Sequence, residues 1–129
     1  MIVLDTHALL WWTLDPSQLS RKAKSTCSPI EEQGAYISSI SIWELGVKIR
    51  NKKLDIGMSI REYAEKIRRL GSIEIVPVTE SIWIRNLELE WDHRDPADRT
   101  IVATALTLDL PILSKDKIIR TFKGVKSIW

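Results

Sequence analysis

The chain has 129 residues, 44% of them hydrophobic and 28% charged, which excludes a disordered protein and leaves enough apolar mass for one domain, residues 1–129, with its own core. A formal net charge of +2 permits nucleic acid as a partner without the strong basic field that would demand it. The single cysteine, Cys27, excludes an internal disulfide; no apolar run approaches the roughly 20 residues that cross a bilayer, and no signal-peptide layout opens the chain, so the expectation is a soluble, cytoplasmic protein with no membrane role.

Met1-Ile2-Val3-Leu4 is short, continuous and apolar, as a strand buried on both faces of a parallel sheet must be. It stops at Asp5, and Thr6-His7 leads into a helical stretch from Ala8 to Trp12. Open α/β sheets place their functional crevice at the carboxyl ends of strands, so Asp5 is either a site residue or only the N-cap of that helix. Asp15-Pro16 breaks the pattern. Arg21 to Gln33 reads as one or two short helices interrupted near Pro29, and Ala35 to Ser39 as a second strand. Ile40 to Ile49 is helical. There Ser41 and Glu44 have the spacing of a capping box, in which the glutamate folds back onto a backbone N–H. The competing reading points Glu44 from the first turn of the helix into the crevice of Asp5.

Arg50-Asn51-Lys52-Lys53 closes that helix, and Gly57 and Ser59 mark a loop and a cap. Ile60 to Leu70 is amphipathic, with Tyr63, Ile67 and Leu70 on one face and Arg61, Lys66, Arg68 and Arg69 outside it, and Gly71 ends it. Ile73 to Val78 is a third strand, and Thr79 caps a helix from Glu80 to about Leu89. In His93-Arg94-Asp95-Pro96-Ala97-Asp98-Arg99, Asp95 is placed to cap a helix, Pro96 to fill its first position and Asp98 to sit in its first turn. Both acids then face the positive end of the helix dipole, which by itself explains an Asp-x-x-Asp start. After a turn at Asp109-Leu110, Pro111 to Leu113 is a fourth strand that runs straight into Ser114-Lys115-Asp116, repeating the strand-then-acid arrangement of Asp5. Lys117 to Phe122 is a short helix, and Val125 to Trp129 a last strand after Gly124. Strands alternating with helices give a three-layer α/β/α domain around a parallel sheet.

Asp5 and Asp116 end strands, Glu44 and Asp98 begin helices, and all four positions can face one edge of such a sheet. Carboxylates gathered there repel without a counter-charge. An oxygen-only set suits Mg²⁺ or Mn²⁺; zinc would want nitrogen or sulfur, and His7, His93 and Cys27 have no zinc spacing. A hard divalent ion with open positions favours hydrolysis of a phosphodiester. The hydroxyls of Thr6, Ser41 and Ser114 lie beside these acids, either to orient them or as caps. There is no Walker-type phosphate loop, no dinucleotide fingerprint and no nucleophile elbow. Cys27 sits in a polar segment with no histidine nearby and reads as inert.

Four pieces now coincide in order: Met1-Ile2-Val3-Leu4-Asp5-Thr6-His7, Ser38-Ser39-Ile40-Ser41-Ile42-Trp43-Glu44, His93-Arg94-Asp95-Pro96-Ala97-Asp98-Arg99 and Leu113-Ser114-Lys115-Asp116. Together they resemble PIN-domain nucleases, most closely the VapC-like toxins of type II toxin–antitoxin pairs, over essentially the whole chain. The resemblance implies a five-stranded parallel sheet and a Mg²⁺- or Mn²⁺-dependent endoribonuclease that leaves a 5′-phosphate and a 3′-hydroxyl. It carries the acidic quartet onto Asp5, Glu44, Asp98 and Asp116, with Asp95 as a secondary candidate. It also implies a homodimer inhibited by a cognate, VapB-like antitoxin, for whose groove Trp11, Trp12 and Trp43 are candidates. Arg94, Arg99, Lys48 and Lys115 are candidates for contacts to RNA phosphates. Two other readings stay open: a non-catalytic RNA- or protein-binding module whose acids are only caps, and a DNA-directed nuclease on the same scaffold.

Overall fold

In the computed structural model, which describes residues 1–129, five strands pair in parallel in the order β3-β2-β1-β4-β5. They are β1 (Val3–Leu4), β2 (Ala35–Ser38), β3 (Ile73–Val76), β4 (Ile112–Leu113) and β5 (Ser127–Ile128). The chain lays β2 and β3 outward on one side of β1, then returns to set β4 and β5 on the other. The direction of winding therefore reverses between β1 and β4, where Leu4 lies opposite Leu113. The crevice of an open α/β sheet lies outside the carboxyl ends of the strands at that reversal. Asp5 follows β1 there, and Ser114-Lys115-Asp116 follows β4.

The strands are shorter than the apolar runs suggest. The Ser38 hydroxyl accepts the Ile40 N–H at 3.2 Å, so the chain turns into a helix at Ser39. Pro77 has no N–H to donate, and β3 ends before it at Val76. The helices are α1 (Thr6–Leu14), α2 (Arg21–Cys27), α3 (Ile30–Gln33), α4 (Ser39–Arg50), α5 (Ile60–Leu70), α6 (Glu80–Glu88), α7 (Pro96–Leu108) and α8 (Lys117–Thr121), with a 3-10 turn at Pro16–Gln18.

The pleat of β1 sorts its side chains to opposite faces. Ile2 and Leu4 join Leu9 of α1, Leu45 of α4 and Tyr63 and Ile67 of α5. Val3 joins Ile101, Val102 and Ala105 of α7, Ile112 of β4 and Ile119 of α8. Helices thus cover both faces of the sheet, and α6 packs along α7. No helix is long and apolar enough to cross a membrane.

Candidate active site

Asp5 is where strand, helix and crevice meet. It is the N-cap of α1: its Oδ1 accepts the Ala8 N–H at 2.7 Å. Its Oδ2 accepts a hydrogen bond from the Ser114 hydroxyl. The same Ser114 Oγ accepts the Asp116 N–H at 3.0 Å, so one buried hydroxyl ties the end of β1 to the end of β4. Asp5 is only 3% exposed, and burial pushes its carboxyl up to about 6. The bonds from Ser114 and Ala8 pull the other way but do not prevail, and the charges of Asp116 and Glu44 add to the rise. Asp116 is itself the N-cap of α8, accepting the Ile118 N–H at 2.7 Å.

Glu44 reaches this neighbourhood from α4, but not as the sequence suggested. Because Ser38 is the cap and the helix begins at Ser39, Glu44 lies in the second turn and the Ser41–Glu44 capping box does not form. Ser41 instead pairs its hydroxyl with that of Thr6 at 2.9 Å, both side chains being buried. This bond fastens α4, and with it Glu44, to the first turn of α1.

Asp98 comes from the first turn of α7. Asp95 caps that helix by accepting the Asp98 N–H at 2.9 Å, and Pro96 fills its first position. Burial pushes the Asp98 carboxyl up to about 6; a hydrogen bond from His93 opposes this, and the charges of Asp95 and Asp116 add to it. Both shifted carboxyls therefore sense Asp116. Asp5 also senses Glu44, and Asp98 also senses Asp95.

Capping alone does not account for this rim. A cap is served as well by serine or threonine, as Ser20, Ser59 and Thr79 show at α2, α5 and α6. An exposed N-cap carboxylate facing a helix dipole is stabilised in its charged form, whereas Asp5 is buried to the point where its charged form is disfavoured. Around Asp5 and Asp98 the candidate ligand atoms are carboxylate and hydroxyl oxygens, the one nearby imidazole nitrogen, His93 Nε2, being taken up by Asp98 Oδ2. This fits a hard divalent cation, and a cation there would offset the burial of two carboxylates. The rim is open: no three histidine, cysteine or acidic side chains stand close enough together to enclose an ion. Magnesium tolerates this, since it is commonly held by one or two carboxylates and keeps several waters.

The cations sort into two kinds. The Lys115 ammonium stands over the Trp11 ring at 5.5 Å, next to Asp116. Arg94 is exposed on the loop before Asp95, and Lys48 lies one turn beyond Glu44 on α4. Arg99 differs. Its guanidinium donates to the carbonyls of Trp91 at 2.6 Å, His93 at 3.0 Å, Asn86 at 2.6 Å and Leu89 at 3.2 Å, and to Asn86 Oδ1 at 3.3 Å. Its donors are taken inside the fold, so Arg99 is a clamp on the α6–α7 connection rather than a free phosphate ligand. The three tryptophans also part company. Trp12 lines an open, mostly apolar pocket of about 410 Å³ with Leu14, Met58, Tyr63, Ile67 and Leu70, which Glu31 and Lys66 also line. Trp11 packs against His7 and Trp129, and Trp43 stands 61% exposed on α4. Cys27 is buried and its thiol pushed up to about 11, which keeps it protonated and unreactive.

Sequence reasoning missed His93 as a neighbour of the rim. Its Nε2 lies 2.7 Å from Asp98 Oδ2. The only available signal was a histidine a few residues before an acid, and a loop of unspecified shape separates the two.

Fold and rim together define a three-layer α/β/α domain with acids at the reversal of its sheet. The model of the PIN domain family matches residues 2–125, and the chain belongs to that family. It is similar to Ribonuclease VapC22 of Mycobacterium tuberculosis, with 25% identity over 135 residues, 99% of this chain and 98% of the relative. Among solved structures it resembles FitAcB from Neisseria gonorrhoeae, with a TM-score of 0.71 at 22% identity over 100% of this chain and 97% of the other. A toxin–antitoxin complex from Klebsiella pneumoniae gives 0.65 at 20% identity over 97% and 95% of the two chains. VapBC2 from Rickettsia felis, bound to a promoter DNA fragment, gives 0.70 at 13% identity over 99% and 98%. At these identities the structural likenesses establish the fold.

Proposed function

We propose that this protein is a Mg²⁺- or Mn²⁺-dependent endoribonuclease, a VapC-like toxin restrained by a cognate VapB-like antitoxin and working as a homodimer. The observation that carries the reading is Asp5: a nearly buried carboxylate at the sheet reversal, raised to about 6, beside Asp116 and Glu44. A fold does not need an acid there; a cation site does. Asp5, Glu44, Asp98 and Asp116 would hold the ion, directly or through water, with Asp95 at its margin. A divalent ion held by these residues would supply Lewis-acid chemistry, lowering the pKa of a water and offsetting charge on the phosphate.

The chain's own part is positional. Ala8 N–H and Ser114 fix both oxygens of Asp5, Ser114 also orients the start of α8 that carries Asp116, and the Thr6–Ser41 pair sets the α4 end that carries Glu44. Arg94, Lys48 and Lys115 would take backbone phosphates, so binding should weaken with salt. The cavity around Trp12 and Tyr63 suits an apolar segment of the antitoxin. The relatives support both halves of the reading: one is named a ribonuclease, and another is a toxin–antitoxin complex.

The test is cleavage of total tRNA and of single-stranded DNA by the purified protein with Mn²⁺ or Mg²⁺. Asp5→Asn should lose on the order of 100-fold in rate, about 3 kcal/mol of barrier, while keeping its fold. Parent-like cleavage by Asp5→Asn overturns the assignment. Faster cutting of DNA than of RNA favours the DNA-directed reading, and no cutting of either favours a binding module.

A further inference from the structure

We propose that His93 is a positioning residue: it holds Oδ2 of Asp98 and thereby leaves Oδ1 as the oxygen offered to a divalent cation. The inference rests on the reading of Asp98 as a cation ligand. While Asp98 is ionised its carboxylate only accepts hydrogen bonds, so the His93 nitrogen 2.7 Å from Oδ2 is then the one that bears hydrogen. Asp98 is 17% exposed and His93 18%, so water competes poorly for that bond. No hydrogen bond from within the protein engages Oδ1.

The imidazole is not free to leave. On one side it packs against Trp91, ring centroids 4.9 Å apart, and Trp91 in turn packs against Phe122 at 5.2 Å. Its backbone is held too: Arg99 donates to the carbonyls of Trp91 and His93. Arg99 follows Asp98 directly on α7. The helix end that presents the carboxylate therefore clamps the loop that presents its hydrogen-bond donor. Histidine and acid are thus tied into one hydrogen-bonded and packed unit. Such pre-set partners around a ligating group typically govern metal affinity by 10- to 100-fold (roughly) when removed.

A packing role and a positioning role separate when donor and ring are changed independently. His93→Phe keeps an aromatic ring against Trp91 and removes the donor. His93→Gln gives up the ring and keeps an N–H. Mn²⁺ affinity is measured calorimetrically without RNA, together with the melting temperature of each metal-free variant. We expect His93→Phe to melt like the parent and bind Mn²⁺ roughly 10- to 100-fold more weakly, and His93→Gln to recover most of the affinity. Should His93→Phe fail to fold, His93→Leu serves for the loss of the donor. Parent-like Mn²⁺ affinity without the donor overturns the proposal, as does a His93→Gln variant that binds as weakly as His93→Phe. A parent protein that binds no Mn²⁺ overturns the metal reading beneath it, and this inference falls with it.

Discussion

The free-energy cost of the site is concentrated in two side chains. Asp5 and Asp98 keep their protons up to about pH 6 in the fold, whereas an aspartate in the unfolded chain releases its proton near 3.8. Between those values the native state binds more protons than the unfolded state, so stability falls as pH rises through the window. For Asp5, which is nearly fully buried, the shift corresponds to something on the order of 3 kcal/mol; the partly exposed Asp98 contributes less. Asp15, held low by Ser17 and Gln18, acts only below the ordinary aspartate range and leaves this window untouched. The metal-free protein should therefore melt at a higher temperature at pH 5 than at pH 7.5, measured by circular dichroism in a chelating buffer. Asp98→Asn, which removes a buried charge while its side-chain oxygen still accepts from His93, should flatten that slope and melt above the parent at pH 7.5. A melting temperature that climbs steadily from pH 5 to 7.5 in the parent would contradict the raised carboxyls.

Among the connections between elements, the one from α6 to α7 depends most on a single side chain. Four carbonyls there, those of Asn86, Leu89, Trp91 and His93, converge on Arg99. Hydrogen bonds from a charged donor to part-buried carbonyls are worth more than neutral ones, and removing the donor leaves the acceptors unmet. Arg99→Ala should cost on the order of 3 kcal/mol, or about 10 °C of melting temperature in a chain of this size. A variant that melts within a degree or two of the parent would show that water replaces the clamp. The sequence could not announce this role, because the acceptors lie 6 to 13 residues earlier and are backbone atoms. Where the determinants are local, reading was close: Ser59 and Gly71 bound α5, and Asp95 and Pro96 start α7, as their side chains and backbone preferences require. The start of α4 was misread for the opposite reason. Ser38 and Ser41 are both able to cap, and the buried pairing of Ser41 with Thr6, 35 residues away, decides between them.

At the scale of the whole molecule, alternating strands and helices made the parallel sheet legible, but not its order. Strands of two residues, such as β1 and β4, carry too little pattern to say which neighbours they choose. That order matters, because it alone brings the ends of β1 and β4 together, so that Asp5 meets Ser114, 109 positions along the chain, with Asp116 beside it. The acids were visible as residue types at strand ends and helix starts, and so was their mutual repulsion; that burial outweighs that repulsion in raising Asp5 and Asp98 was not. The protein with this sheet should be stabilised as a whole by a cation bound at one edge. A ligand that binds only the folded state adds about 2.7 kcal/mol at a hundred times its dissociation constant, roughly 5–10 °C for a chain of this length. Mn²⁺ should therefore raise the melting temperature at pH 7.5, where Asp5 and Asp98 are ionised, and raise it less at pH 5, where protons occupy both. KCl at matched ionic strength should do little, since screening acts weakly on buried charge. Asp5→Asn should blunt the Mn²⁺ response, because one of the carboxylates that repay the ion's dehydration is gone. Equal shifts from Mn²⁺ and KCl, or an undiminished Mn²⁺ response in Asp5→Asn, would mean that these acids do not hold a cation at this rim.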